Sequence, residues 1–286
     1  VITDGSAAAG DRWVIQRPAV LSIVRVTGTR DTVSRGQGGI IVTMVVRNEG
    51  EATAVISATE IDLVFTNSIG NIIPEYRINI LTFAGQIRGG TGETYIFSVG
   101  VDNAASLGLV TIDGSINGTD YNSGWIVTDY KADATWEWVV QRKAVLSIIR
   151  VTSDSYTVAT GQREIIVTMA VSNEGEATAG ISGAGLQMTT AAGVVSGEYG
   201  ISYMLRPLTI GGGREETYVF SVGISGTAQS GVITLDGSIS GSDEVSGNAV
   251  SDSRAVSGDW VLVQRKAVLS IVEIRSAKRS VNRGQG

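Results

Sequence analysis

The chain contains neither cysteine nor histidine. The absence of cysteine excludes disulfide bonds and thiolate metal sites. The absence of histidine excludes Ser-His-Asp triads, imidazole general bases and histidine-ligated metals. Only carboxylates remain as groups that could carry catalysis. We therefore predict that the protein is not an enzyme, assign no catalytic residue and expect no cofactor.

Long apolar runs and clusters of basic residues are also missing. The apolar stretches, such as Ala144–Ile149, are short and flanked by Arg and Lys, so we expect no membrane-spanning helix in these residues. The formal net charge is -6 and the sequence pI is about 4.8. Phosphate binding needs Lys and Arg clustered on one face, so we expect no nucleic-acid partner.

The composition that is present is typical of many short strands. Hydrophobic residues make up 43% of the chain and aromatic residues only 6%, while 37 glycines interrupt runs rich in Val, Ile and Thr. β-branched residues favour strands and glycine favours tight turns. This composition predicts an all-β fold.

An internal repeat organises the chain. Trp13–Val26 reads WVIQRPAVLSIVRV and Trp138–Val151 reads WVVQRKAVLSIIRV, which agree at 11 of 14 positions, and QRKAVLSIVEI follows at Gln264–Ile274. The run NEGEATA begins at both Asn48 and Asn173. The period of about 123 to 125 residues suits one whole sandwich domain and is too long for a helical solenoid unit.

Strand periodicity is clear within each repeat. Ile40, Val42, Met44 and Val46 occupy alternate positions of one run, which places them on one face of a strand. Turn signals rich in Gly and Asn separate about seven such runs per repeat. The pattern predicts an all-β fold of tandem immunoglobulin-like β-sandwich repeats.

The repeat also sets the expected domain boundaries. Residues 17–141 form the first immunoglobulin-like repeat and residues 142–264 form the second. Residues 1–16 match the end of a preceding repeat, and residues 265–286 match the start of a third, incomplete one. Because Trp138–Val151 lacks glycine and proline, we expect one long strand there, shared by two neighbouring sandwiches.

Two segments of each repeat carry a resemblance to a known family. Ile40–Ala54 reads IIVTMVVRNEGEATA, an alternating strand followed by an Asn-Glu-Gly turn. Gly89–Val99 reads GGTGETYIFSV, a turn that leads into a late strand. Both resemble the bacterial and archaeal cell-adhesion-related Ig-like repeats called CARDB. The resemblance implies an Ig-like fold on a cell-surface protein and implies no particular ligand; the QRxAVLSI strand departs from it.

Carboxylates recur in the motif DGSxxGxD of both repeats. Its aspartates could supply oxygen ligands to calcium in a turn, although the spacing does not match an EF-hand loop. The alternative is that Asp and Gly are simply good turn formers, and we favour this alternative. The calcium candidates are Asp113, Asp120, Asp236 and Asp243.

Aromatic residues gather late in the first repeat. They could form a sugar-stacking platform, and Asn117-Gly118-Thr119 is an N-glycosylation sequon, so a glycan is a possible partner. The second repeat lacks this aromatic group, which favours packing between domains or subunits. The aromatic candidates are Tyr121, Trp125, Tyr130, Trp136 and Trp138.

The start of the third repeat predicts a means of assembly. Ala267–Ile274 repeats a strand that elsewhere enters a sandwich, so its side chains and backbone groups need an outside partner. Two explanations fit: these residues are a window of a longer repeat array, or another subunit completes the terminal strand. For the second, we predict donor-strand insertion into a groove of another copy of the chain. The assembly-strand residues are Val268, Leu269, Ile271, Val272 and Ile274, and the acceptor-strand residues are Ile40, Val42, Met44 and Val46.

These patterns favour one function over another. The first is a structural subunit of an extracellular filament, sheath or surface layer, built as a homopolymer by head-to-tail stacking of repeats. The alternative is an adhesin or carbohydrate-binding module array on the cell surface, in which the aromatic group contacts a glycan. A periodic one-dimensional assembly would favour the first, and saturable sugar binding that is lost on Trp125→Ala would favour the second.

Overall fold

The computed structural model describes residues 14–275, 280 and 283–284. In this part of the chain the regular structure consists of strands and one short 3-10 helix at Ser196–Glu198, with no α-helix. None of the described residues forms a helix with the length and apolar character needed to cross a membrane. The predicted all-β class is confirmed.

The first sandwich consists of two packed antiparallel sheets, with one parallel edge pairing. One sheet has the order β1-β3-β7-β5, and the other has the order β2-β10-β8-β4-β6, with β9 pairing beside β10 along β8. The strands are β1 (Leu21–Gly28), β2 (Thr32–Ser34), β3 (Ile40–Asn48), β4 (Ala54–Asn67), β5 (Tyr76–Thr82), β6 (Gln86–Ile87), β7 (Gly92–Val101), β8 (Gly108–Asp120), β9 (Ile126–Asp129) and β10 (Trp136–Gln141).

The second sandwich repeats this plan. Its sheets have the orders β16-β18-β13-β11-β21 and β12-β22-β19-β14-β15, with β17 on β14 and β20 on β19. The strands are β11 (Leu146–Ser153), β12 (Thr157–Ala159), β13 (Ile165–Asn173), β14 (Ala179–Thr190), β15 (Gly193–Val194), β16 (Tyr199–Leu205), β17 (Thr209–Ile210), β18 (Glu215–Ile224), β19 (Gly231–Asp243), β20 (Ala249–Asp252), β21 (Ser257–Gly258) and β22 (Trp260–Gln264).

The strand order defines the class of fold. With the main strands lettered in chain order, one sheet of each sandwich reads A-B-E-D and the other reads A′-G-F-C. This is the strand distribution of the immunoglobulin fold, in which A, B, E and D face C, F and G. The A′ strand pairs in parallel with G in both sandwiches. The prediction of tandem immunoglobulin-like sandwiches is therefore confirmed.

Each sandwich has its own core. One cluster of buried apolar residues runs from Ala19 to Val140, and a second runs from Ala144 to Val263. The predicted long linking strand is divided between them as expected: β10 pairs with β8 in the first sandwich, and β11 pairs with β13 in the second. It is not one continuous strand, however, because residues 142–145 pair in neither sheet. We call these four residues the linker.

Glycine lets the two sheets approach closely at one point in each core. A Cβ added to Gly114 would overlap the sulfur of Met44, and a Cβ added to Gly237 would overlap the sulfur of Met169. Both glycines lie in the F strand and face the B strand of the opposite sheet. A larger residue at either position would require the methionine side chain to shift.

The two cores differ in one cluster. In the first, the rings of Phe65 and Tyr76 stack at 4.0 Å, and the ring of Trp138 lies 5.8 Å from each. In the second, Met188 and Val261 replace the phenylalanine and the tryptophan, and an apolar cavity of about 20 Å³ lies beside them. Because unfilled core volume lowers stability, we expect the second sandwich to be the less stable.

Trp138→Val gives the first sandwich the residue that the second has. We expect a loss of about 3 kcal/mol in the free energy of unfolding of the first sandwich, because the variant leaves a cavity under two aromatic rings. Urea unfolding followed by circular dichroism measures it. The control is Trp125→Val, at a tryptophan that is 68% exposed, where we expect a change within about 0.5 kcal/mol. Equal effects of the two variants would contradict the assignment of Trp138 to the core.

Candidate functional site

The repeated motifs converge where the chain enters each sandwich. We call this the leading end; it comprises residues 17–20, 48–52 and 120–125 in the first sandwich and residues 142–145, 173–177 and 243–248 in the second. The opposite end, from which the chain leaves, we call the trailing end; it comprises residues 34–37 and 102–105 in the first sandwich and residues 159–162 and 225–228 in the second.

A buried aspartate holds the entering backbone. Asp120 Oδ2 accepts the N–H of Ala19 at 2.7 Å, and Asp243 Oδ2 accepts the N–H of Ala144 at 2.8 Å. The other carboxylate oxygen of Asp120 accepts the N–H groups of Asn122 and Ser123. Backbone donation, from Ala19 first and then Ser123, lowers the pKa of Asp120 below its ordinary value. The charged form is thus matched to a cluster of backbone donors.

A buried asparagine holds the next residue. Asn48 Oδ1 accepts the N–H groups of Val20 and Gly50, and its Nδ2 donates to the carbonyls of Ala52 and Ile87. Asn173 makes the four equivalent bonds in the second sandwich. The side-chain amide is therefore fully hydrogen-bonded although it is buried.

Glu51 and Gly50 of the NEGE sequence contact the entering chain at Arg17 and Pro18. Glu51 accepts the backbone N–H and the Nε–H of Arg17, bonds that lower the pKa of the Glu51 carboxyl. Arg142 and Glu176 repeat the pair in the second sandwich. A Cβ on Gly50 would collide with the carbonyl oxygen of Pro18, so the third position of the motif must be glycine.

The second leading end also touches the first sandwich. Ser34 Oγ lies 3.3 Å from both carboxylate oxygens of Asp243 and donates to them. Gln37 Nε2 donates to the carbonyl of Val245 at 3.4 Å, and Asn248 Nδ2 donates to the carbonyl of Gly36 at 3.3 Å. Asp243 therefore binds the linker and the trailing end of the preceding sandwich at the same time.

The sequence predicted only part of this junction. It identified NEGEATA and the aspartates as recurring elements but gave the asparagine, the glutamate and Ser34 no binding role. The available signal was that Asn, Glu and Gly recur unchanged in NEGE while neighbouring turns vary.

The four calcium candidates all bond to backbone amides. Asp113 Oδ1 accepts the N–H groups of Gly114 and Ala132, and Asp236 Oδ1 accepts those of Gly237 and Ala255. Asp120 and Asp243 hold the entering chain. These bonds support the reading of the motif as a structural turn, which the sequence favoured.

The five aromatic candidates do not form one surface. Trp138 is buried in the core, and Trp136 donates its Nε1–H to the carbonyl of Arg30. Tyr121 and Trp125 are 70% and 68% exposed on the first leading end, while Tyr130, 61% exposed, follows the far end of β9. The platform that the sequence suggested thus reduces to Tyr121 and Trp125. The sequon Asn117 lies within β8 and pairs with Thr128 of β9.

The predicted assembly strand is exposed in this chain. Leu269 is 98% exposed, whereas its counterpart Leu146 is 6% exposed in the second sandwich. The same contrast holds for Ile271 and Ile274, whose counterparts Ile148 and Val151 are buried. All five predicted assembly residues are exposed: Val268, Leu269, Ile271, Val272 and Ile274.

The predicted acceptor strand is paired on both edges within its own chain, and its role as an acceptor stays a prediction. Ile40, Val42, Met44 and Val46 are buried within their own core, and their strand β3 pairs with β1 on one edge and with β7 on the other. The strand therefore has no open edge in this chain. Another strand could lie beside it only in the place that β1 now holds.

Comparisons with known proteins define no family. No family model matches the chain, and none of the curated proteins matches it, so the CARDB resemblance stays a prediction. The chain is similar in structure to a protein of unknown function from Porphyromonas gingivalis W83, at 12% identity over 87% of this chain and 100% of that one, with a TM-score of 0.30.

Two further similar structures are equally distant. One is named BspA_C_mut, at 10% identity over 87% of this chain and 99% of that one, with a TM-score of 0.29. The other is Dpr2 Ig1-Ig2 in complex with DIP-Theta Ig1-Ig3, at 9% identity over 88% of this chain and 66% of that one, with a TM-score of 0.22. Such scores carry no argument about function. The class of protein rests on the strand order: a tandem pair of immunoglobulin-like sandwiches.

Asn48→Ala removes four buried hydrogen bonds at the leading end. We expect a loss of about 3 kcal/mol in the free energy of unfolding, because two backbone N–H groups and two carbonyls lose their partner. Urea unfolding measures it. The matched control is Asn71→Ala in an exposed turn, which we expect to change stability by less than about 0.5 kcal/mol. A loss below about 1 kcal/mol for Asn48→Ala would show that these four hydrogen bonds contribute little to stability.

Chelation tests the reading of the aspartates. Because at least one carboxylate oxygen of each aspartate accepts backbone N–H groups, we expect the thermal midpoint to be the same in EDTA and in millimolar calcium, measured by differential scanning calorimetry. A rise of several degrees with calcium would reinstate Asp113, Asp120, Asp236 and Asp243 as ligands.

Proposed function

We propose that the protein is a structural subunit of an extracellular filament, sheath or surface layer, in which immunoglobulin-like sandwiches stack head to tail. The observation that carries this proposal is the junction, where Asp243 binds both the linker and Ser34 of the preceding sandwich. A flexible tether between two independent domains would need neither bond. The contacts suit a protein whose task is to hold its repeats at a fixed spacing.

The length of the linker supports the same proposal. Residues 142–145 form the whole connection between β10 and β11. At its start, Arg35 donates its N–H to the carbonyl of Gln141; at its end, Asn173 accepts the N–H of Val145. A short connection bonded on both sides leaves little room for the sandwiches to reorient, unlike the Gly/Ser-rich linkers that behave as random coils.

The exposed terminal segment supplies the means of joining subunits. Residues 264–274 read QRKAVLSIVEI and residues 16–26 read QRPAVLSIVRV. The contacts of residues 17–26 use an arginine, backbone N–H groups and inward Leu, Ile and Val side chains. Residues 265–274 provide the same kinds of groups, with Ile274 in place of Val26. The donor strand therefore fits the place of β1 in a second copy, beside Ile40–Val46. Exchange of nearly identical elements costs little free energy.

Location on the cell surface is part of this proposal. It rests on the resemblance of Ile40–Ala54 and Gly89–Val99 to CARDB repeats and on the suitability of immunoglobulin-like arrays for extended surface structures.

One observation favours a second candidate function, that of an adhesin or carbohydrate-binding module array. Tyr121 and Trp125 are both exposed on one loop, and exposed aromatic rings can stack on sugars. In that case an oligosaccharide would quench Trp125 fluorescence with saturation.

Cysteine trapping tests the assembly, since the chain has no cysteine of its own. Arg25 and Val45 face each other across β1 and β3, and Glu273 is the counterpart of Arg25 in the terminal segment. We expect Glu273→Cys with Val45→Cys to give a ladder of disulfide-linked oligomers on a non-reducing gel. Arg25→Cys with Val45→Cys is the matched control, which should cross-link within one chain.

The outcomes separate the parts of the proposal. If electron microscopy shows filaments but the gel shows no disulfide ladder, donor-strand exchange is ruled out and the proposed structural function stands. A native chain that stays monomeric at every concentration, with no ladder and with saturable sugar binding, would overturn the structural role in favour of the alternative.

A further inference from the structure

The junction inside the chain shows which positions of a leading end meet a trailing end. In the second sandwich these are Asp243, Val245 and Asn248. The period places Asp120, Asn122 and Trp125 at the same positions of the first sandwich. The described residues put no sandwich against this first leading end.

The first leading end differs in chemistry from the second. Tyr121 stands where the second has Glu244, and Trp125 stands where it has Asn248. The side chains of Tyr121, Trp125 and Ile126 are 70%, 68% and 76% exposed. Large aromatic side chains of this kind are enriched at the centres of protein interfaces. Two polar side chains at the second leading end, Glu244 and Asn248, are thus replaced by aromatic rings at the first.

The second trailing end differs from the first in the complementary way. Ala159 takes the position of Ser34, and Gly226 takes that of Asn103. In the first sandwich Asn103 covers Gly36, since a Cβ added there would overlap Asn103 Oδ1. A Cβ on Gly161 would meet only the Cα of Gly226, at 3.9 Å. Bare glycine backbone can approach the face of an aromatic ring closely.

Both trailing ends have a glutamine in the same orientation, which can make the same polar contact. Gln37 Oε1 accepts the N–H of Ser34, which orients Nε2 toward the carbonyl of Val245. Gln162 Oε1 accepts the N–H of Ala159 in the same way. Its Nε2 is thus positioned to donate to the carbonyl at the position equivalent to Val245, which is Asn122.

We propose that the first leading end, centred on Tyr121 and Trp125, binds the second trailing end of another copy of this chain, centred on Ala159, Gly161 and Gln162. We call this interface the seam. It rests on the proposed head-to-tail assembly, and its aromatic contacts add a driving force for association that strand exchange alone lacks. Polar junctions within chains then alternate with aromatic junctions between chains. The interface is heterologous, so it propagates along one axis.

Complementary variants of the full chain test the seam. Trp125→Asp disables the leading end, and Ala159→Arg disables the trailing end. We expect each variant alone to self-associate at least about 30-fold more weakly than the native chain in sedimentation velocity, since removing an aromatic anchor or crowding its partner surface has effects of this size. An equimolar mixture should form heterodimers that grow no further, because only one compatible pair of ends remains.

Tyr130→Asp is the matched control, an exposed aromatic away from the leading end that should leave association unchanged. Thermal unfolding of each variant verifies its fold. Native-like association of Trp125→Asp, or a mixture that stays monomeric, would overturn the seam. Filaments that both variants form as readily as the native chain would overturn the seam and leave the structural role standing. A monomeric native chain whose Trp125 is quenched by an oligosaccharide would overturn both.

Discussion

The rest of the structure depends on one constraint: the backbone N–H groups of the linker need hydrogen-bond partners. Residues 142–145 pair in neither sheet, yet Ala144 is buried, and a buried N–H without a partner is costly. Asp243 and Asn173 provide that partner. The recurring motifs NEGE and DGSxxGxD supply these acceptors. We call this set of hydrogen bonds the clasp, and it orients each sandwich relative to the segment that enters it.

The same hydrogen bonds give a physical reason to expect a stiff junction. Asp243 accepts hydrogen bonds from the linker, from its own loop and from Ser34 of the preceding sandwich. Movement of either sandwich would break bonds to one buried carboxylate, whose desolvation is tolerated only while it is surrounded by donors. Repeat position and repeat orientation are therefore set by the same group.

Much of the fold could be predicted from the sequence because strand alternation and the repeat are strong local signals. The inward position of Gly114 on its strand agrees with the close approach of the two sheets at that point. The break at residues 142–145 could not be predicted, because nothing in the local sequence distinguishes a strand from an extended linker. The strand neighbours of Ile40–Val46 could not be predicted either, because alternation shows which face is buried but not which strands fill both edges. The role of Ser34 depends on a contact with Asp243, 209 residues away, which no local pattern encodes.

Residual dipolar couplings of the full chain test the central claim, that the clasp fixes one sandwich relative to the next. We expect the couplings of residues 17–141 and of residues 142–264 to fit a single alignment tensor of one magnitude and orientation. In Asp243→Ala, with the shared acceptor removed, we expect two tensors of different magnitude. Two different tensors in the native chain would contradict the account, because they would show that the sandwiches reorient independently despite the bonds between them.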